Sequence, residues 1–262
     1  MQTDASSQRI AVTGATGRLG SHLVGILEHR GHEVIPIARS TGVDVVTGEG
    51  LEKALAEVET IIDAASGPSP DQESATEFFT ASARNVQRAG AAAGARRIVV
   101  VSIIGIDKFR GGYNAAKMAQ ERALLEGPLP VRIIRAAQFH EFVEPLVGWT
   151  ITDGVAHVPE MQTQLVAARV VAETLADAAE EPEIENGRIT EVAGPRAERL
   201  ADVAAALIAS RGDSVEISET RESVLVPSGD PDAAAYADGA ALPTPGAKLA
   251  GPSFEEWLTT LR

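Results

Sequence analysis

Tyr113 and Lys117 stand four residues apart in Gly112-Tyr-Asn-Ala-Ala-Lys117, at the start of a stretch with helical spacing. On a helix that interval puts both side chains on one face, within reach of each other. With two tyrosines and four lysines in 262 residues, the pairing would arise by chance about 0.03 times. A neighbouring ammonium favours phenolate and lowers a tyrosine pKa from about 10, which makes the phenol a proton donor and acceptor near neutral pH. The same ammonium is able to bond the hydroxyls of a ribose.

A second group of residues lies at 9–20, where the apolar run Arg9-Ile-Ala-Val-Thr13 feeds glycines at 14, 17 and 20 and then a helical stretch. Glycine lets the chain turn sharply and lets bare backbone approach a ligand. The free N–H groups and positive end of the following helix attract a pyrophosphate. The loop Gly14, Thr16, Gly17, Arg18, Leu19 and Gly20 therefore predicts a bound dinucleotide. The second strand ends in Ile37-Ala38-Arg39-Ser40, with no carboxylate where one would select a free ribose 2′-hydroxyl. Arg39, with Arg18 expected on the same side, suits a 2′-phosphate, so NADP(H) is favoured over NAD(H). Asp44 and Val45 are candidates for the adenine, and the small residues Ala64, Ala65 and Ser66 would let a cofactor approach a strand end.

Apolar, β-branched runs alternate with helical stretches through the first half, the pattern of a parallel sheet covered by helices. Strands are expected at Arg9–Thr13, Glu33–Ala38, Val43–Val46, Thr60–Ala65, Arg97–Ser102 and Val131–Arg135. Helices fit between them at about 18–30, 48–58, 72–94, 113–126 and 139–148. The fold class is α/β, a Rossmann-type doubly wound parallel sheet with helices on both faces, and ligands should sit at the strands' C-terminal ends. Residues 1–150 are expected to form the NAD(P)-binding domain. Residues 151–262 should complete the sheet and add a small substrate lobe, packed with it as one unit. Pro227 to Pro252 reads as an extended surface segment, followed by a last helix that docks through Phe254, Trp257 and Leu258.

A net charge of −14 opposes binding to nucleic acid or an anionic membrane. No apolar run reaches the roughly 18 residues of a membrane span, and the first residues lack the pattern of a signal peptide, so a cytoplasmic location is expected. Without cysteine, thiolate catalysis and disulfides are excluded, and the histidines at 22, 29, 32, 140 and 157 lack metal-ligand spacing. The expected partner is a small-molecule substrate. No oligomeric state is read from the sequence.

Together these residues resemble the short-chain dehydrogenase/reductase superfamily, in its atypical, NmrA-like NAD(P)-binding branch. The carriers are Gly14-Ala-Thr-Gly-Arg-Leu-Gly20, Gly42-Val-Asp-Val-Val-Thr-Gly-Glu-Gly-Leu51, Glu77-Phe-Phe-Thr-Ala-Ser-Ala-Arg-Asn85, Val100-Val-Ser-Ile-Ile-Gly-Ile-Asp107, Gly112-Tyr-Asn-Ala-Ala-Lys117 and Arg135-Ala-Ala-Gln-Phe-His-Glu-Phe142. The resemblance implies that Tyr113 is the acid/base of hydride transfer and that Lys117 contacts the nicotinamide ribose. It also implies a catalytic serine after the fifth strand, bonded to the substrate carbonyl, for which Ser102 is the candidate. Here Ser102 ends that strand, and Ile104 stands where many relatives place the serine. Gln138, Phe139 and His140 fall where the resemblance places substrate contacts. The function so implied is NAD(P)H-dependent oxidoreduction of a carbonyl/alcohol pair or an activated double bond on a small apolar molecule. The alternatives are a dinucleotide-sensing regulator without turnover and a tailoring oxidoreductase of aromatic polyketide or other specialised metabolism.

Overall fold

In the computed structural model, which describes residues 7–67, 69–182, 185–221 and 231–261, the chain alternates strands and helices. In order these are β1 Arg9–Thr13, α1 Arg18–His29, β2 Glu33–Ile37, α2 Leu51–Ala54, β3 Thr60–Asp63, α3 Gln72–Ala93, β4 Arg97–Ile103, α4 Gly112–Leu125 and β5 Val131–Ala136. The second half adds α5 Val143–Thr150, β6 Ile151–Thr152, β7 Val155–Pro159, β8 Gln162–Thr163, α6 Ala168–Glu180, β9 Ile189–Ala193 and β10 Glu198–Arg199. It closes with α7 Leu200–Arg211, β11 Glu216–Thr220, α8 Ala233–Ala237, β12 Lys248–Leu249 and α9 Phe254–Thr259.

Seven strands form one parallel sheet in the order β12-β9-β5-β4-β3-β1-β2. The direction of winding reverses between β1 and β3, the switch point at which open α/β sheets bind ligands. Because helices cover both faces, the central strands are apolar on both sides rather than alternating. Ile10, Val12, Ile62, Val99 and Ile134 pack under α1 and α6, with Leu23, Leu27, Val171 and Leu175. Ala11, Ile61, Ile98, Val100 and Ile133 pack under α2, α3 and α4, with Leu51, Val86 and Leu124.

By strand alternation, Thr13, Asp63, Ser102 and Arg135 are the last residues to face the α3/α4 side, and here the apolar pattern stops. The register sets Thr13 beside Asp63 and Ser102 beside Arg135. A polar layer thus runs along the C-terminal edge of the sheet, beneath the ends of the strands that should meet a ligand.

The expected strand at Val43–Val46 is a turn. Asp44 accepts from the backbone N–H groups of Val46 and Thr47, at 2.7 and 3.1 Å, and a carboxylate closing its own turn in this way competes with a strand ladder. The sheet therefore ends at β2, whose Pro36 suits an edge strand. The helix expected over 48–58 shrinks to α2, between Gly50 and Glu57, which both adopt positive φ.

The second half extends the sheet with β9 and β12 and builds a three-stranded sheet, β11-β7-β6, beside the pair β10-β8. Phe254 and Leu258 of α9 are buried and Trp257 partly buried against Val143, Val158 and Leu207, which is the docking expected of the last helix. Within the segment read as extended, residues 227–230 lie outside the described residues, α8 is helical, and β12 pairs with β9.

Candidate active site

The loop between β1 and α1 is closed by glycines packed on each other. A Cβ on Gly20 would lie 2.0 Å from the Gly14 carbonyl oxygen, and one on Gly14 would lie 2.6 Å from the Ala64 carbonyl oxygen and 2.8 Å from the Ala65 Cα. Gly14 also adopts φ +67°, which favours glycine. Gly17 begins α1 without a side-chain cap, and no acidic residue occupies the first turn. The first N–H groups of a helix have no intrahelical acceptor, so those of Arg18, Leu19 and Gly20, beside the exposed Thr16 and Gly17, form a cradle that fits an anionic pyrophosphate.

The two arginines part company. Arg39 is exposed at the end of β2. Arg18 donates instead to the Glu141 backbone carbonyl at 2.7 Å, in the loop after β5, on the opposite side of β1 from β2. The expectation that both lie on the ribose side is corrected. Glu141 is itself anchored, its carboxylate accepting from the Ala168 N–H at the start of α6 at 3.1 and 3.2 Å. The Asp44 carboxylate faces its own turn, and the carbonyls of Val45 and Val46 accept from Asn85, so this segment is pinned to α3.

Tyr113 stands in the first turn of α4, half-buried, with its hydroxyl 3.2 Å from the hydroxyl of the exposed Ser66. Ser66 directly follows Ala64 and Ala65, the residues that touch Gly14, so the glycine loop, the residues after β3 and the Tyr113 phenol adjoin one another. Phe79 packs edge-on to Tyr113 with ring centroids 5.5 Å apart.

Lys117 does not serve Tyr113 as the spacing suggests. Its ammonium donates to the Val101 carbonyl at 2.8 Å and to the Gln120 side-chain oxygen, and lies 4.6 Å over the Phe79 ring. Gln120 in turn donates to Asp63 at 2.9 Å, and the other Asp63 oxygen accepts from the Thr13 hydroxyl and the Ala65 N–H, at 2.5 and 3.2 Å. Burial pulls the Lys117 pKa down to about 8, against the opposing pull of Asp63 and Glu121. Burial raises that of Tyr113 above its ordinary value, opposed by the bond from Ser66. This reverses the expected depression of the phenol, because the ammonium is turned to the polar layer and desolvation dominates.

Ser102 is buried, and its hydroxyl has no hydrogen-bond partner among the described residues. Ile104, two residues on, is 1% exposed. No hydroxyl from the end of β4 therefore reaches the surface where Tyr113 stands. Beyond β5, Gln138 and Phe139 are partly exposed, and Phe139 bridges to Val166. His140 is corrected from a substrate contact to a core residue. It is 1% exposed, its Nε2 lies 3.1 Å from the Pro252 carbonyl, and it packs on Phe254 and Trp257, so it fastens α9 and offers no surface to a substrate. Burial lowers its pKa.

Several participants escaped the sequence reading. The Asp232 carboxylate accepts from the N–H groups of Arg110 and Gly111 at 2.8 and 3.0 Å, and the Asn114 amide donates to the Tyr236 hydroxyl at 2.5 Å. The segment carrying α8 thus folds over the start of α4. Arg135 binds both oxygens of Glu121, at 3.1 and 2.9 Å, and Asp107 at 3.1 Å. A carboxylate ending the short apolar run Ile61-Ile62 was the available signal for Asp63.

Among the described residues, no group of three His, Asp or Glu side chains is placed to hold a metal, and no helix is long and apolar enough to cross a membrane. The doubly wound sheet, the glycine cradle and the phenol at the switch point define a Rossmann-type nucleotide-binding protein. The chain matches the NAD(P)H-binding family over residues 14–182, and it belongs to that family. No curated protein sequence matches it.

Its fold is shared with solved structures of low sequence identity. A nucleoside-diphosphate-sugar epimerase from Staphylococcus aureus aligns with TM-score 0.74 at 14% identity, over 95% of this chain and 99% of that one. An NADPH-dependent quinone oxidoreductase from Escherichia coli gives 0.69 at 19%, over 96% and 99%. An NAD-dependent NDP-hexosamine 5,6-dehydratase involved in tunicamycin biosynthesis gives 0.69 at 18%, over 97% and 96%.

Proposed function

We propose that the protein is a reductase that uses NADP(H), with NAD(H) as the alternative, to reduce a carbonyl or an activated double bond on a small apolar molecule. The observation that carries this reading is the unbroken path from Gly14 through Ala64 and Ala65 to Ser66 and the Tyr113 hydroxyl. A phenol at the end of that path is placed for proton transfer beside whatever the glycine cradle holds. When bound, the reduced dinucleotide supplies hydride. The α1 N-terminus would hold its pyrophosphate and Arg39 a 2′-phosphate, and Tyr113 would deliver a proton to the substrate oxygen. Lys117, fixed by Val101 and Gln120, stands one helical turn behind the phenol.

A second reading, a dinucleotide-sensing regulator without turnover, draws on the buried Ser102, whose hydroxyl has no partner among the described residues, and on Ile104. Tailoring of a specialised metabolite is a narrower form of the first reading. Among the structural neighbours, the hexosamine dehydratase is involved in tunicamycin biosynthesis.

The test is oxidation of NADPH by the purified protein with a panel of quinones and ketones, for wild type and Tyr113→Phe. The expected result is turnover that falls about a hundredfold or more in the variant, the range for loss of a general acid. Tight NADPH binding without turnover on any substrate would establish the sensor instead.

A further inference from the structure

We propose that Ser66, rather than a serine of β4, is the hydroxyl that works beside Tyr113, donating a hydrogen bond to the substrate oxygen that Tyr113 protonates. The inference rests on the reductase reading above.

Three observations converge on it. Ser66 is exposed, and its hydroxyl lies 3.2 Å from that of Tyr113, so a substrate oxygen reaching the phenol also meets this hydroxyl. The β4 alternatives are closed, Ser102 being 3% exposed with its hydroxyl turned into the protein and Ile104 1% exposed. The backbone that carries Ser66 is held in place. The N–H of Ala65 donates to Asp63, and that carboxylate is fixed by Thr13 and, through Gln120, by Lys117. A donor one residue beyond a backbone N–H anchored in this way is preorganised for charge that develops on an oxygen beside it.

The balance of the step is simple. A bound reduced dinucleotide would supply the hydride for the new C–H bond at the carbonyl carbon, while the Tyr113 O–H bond breaks and its proton joins the carbonyl oxygen. The carbonyl is reduced to an alcohol and the dinucleotide oxidised. Ser66 keeps its proton, donating first to the developing oxyanion and then to the Tyr113 phenolate until solvent returns a proton. The bond from Ser66 already favours the ionised phenol in the resting protein.

The test pairs Ser66→Ala with Ser102→Ala. Ser66→Ala should lower kcat about a hundredfold, the scale for loss of one oxyanion donor, with the NADPH dissociation constant held within about twofold. A second readout needs no substrate. In a Tyr236→Phe background Tyr113 is the one remaining tyrosine, and its phenolate absorbance should titrate at higher pH once Ser66 is alanine. Ser66→Thr, which keeps a hydroxyl, should restore both. An active Ser66→Ala enzyme with an unmoved Tyr113 titration, or a comparable loss from Ser102→Ala alone, would overturn the inference and leave the reductase reading standing. Absence of turnover in wild type would overturn the reductase reading and this inference with it.

Discussion

The Asp232 carboxylate holds the backbone of Gly111, one oxygen on the Gly111 N–H at 3.0 Å and the other on the Arg110 N–H at 2.8 Å. More than a hundred residues separate them in sequence, so the start of α4 is capped from the far end of the chain. The contact is close-fitting, since a Cβ on Gly111 would lie 2.6 Å from the Pro231 ring and one on Gly105 would lie 1.9 Å from the Ala240 carbonyl oxygen. Two residues after Gly111 comes Tyr113, so this cap sets where the phenol stands.

Asp232→Ala should therefore reduce turnover while leaving the dinucleotide cradle intact. The buried Gly111 N–H and the partly buried Arg110 N–H lose their acceptor, which costs about 2 kcal/mol of stability on the usual scale for an unsatisfied donor. Urea unfolding reads the stability loss. Steady-state kinetics should show a lower kcat with an unchanged NADPH dissociation constant. An equal loss of cofactor binding would mean that the strap acts on the whole fold rather than on α4.

Arg39 and Arg18 make separable predictions, because one is exposed at the end of β2 and the other is bound to the Glu141 carbonyl. Arg39→Glu should lower the ratio of kcat/KM for NADPH over NADH by about tenfold or more, since a hydrogen bond to a charged group contributes about 1.5–3 kcal/mol. Arg18→Ala should leave that ratio where it was and weaken both cofactors alike. A preference that survives Arg39→Glu would place the 2′-phosphate elsewhere.

The sheet and the two site motifs were legible because they rest on local rules. Apolar runs of strand length, a glycine-paced turn and a four-residue helical interval do not depend on the rest of the chain. The Val43–Val46 segment misled because its apolar content looks like a strand, while the Asp44 side chain closes a turn that ends the sheet at β2. Side-chain direction was hidden for a different reason. Spacing puts Lys117 on the same helix face as Tyr113, but the polar ends of β3 and β5 draw that face inward, Gln120 to Asp63 and Glu121 to Arg135. Likewise Ser102 lies next to the end of β4 and Ser66 three residues beyond β3, and no local pattern tells that the first is buried and the second exposed. His140 followed a strand end in the expected place, yet the docking of α9 closed over it.

The buried ammonium of Lys117 gives a prediction for stability against pH. Burial brings its pKa to about 8, from 10.5 in the unfolded chain. Below about pH 8 both states hold the proton, and the folded protein bears the full penalty of a buried charge. Between about pH 8 and 10.5 the unfolded chain keeps a proton that the folded one has released. The unfolded state then binds more protons, so this residue's contribution to stability rises with pH. At about 1.4 kcal/mol per pKa unit, the rise totals about 3 kcal/mol. Lys117→Met removes the titrating group and retains an apolar stem on Phe79. Urea unfolding of wild type and variant, without cofactor, should show wild type gaining on the variant by about 3 kcal/mol between about pH 8 and 10.5. A difference that stays flat across that interval would mean that Lys117 keeps an ordinary pKa in the folded protein, and that Val101 and Gln120 hold it charged.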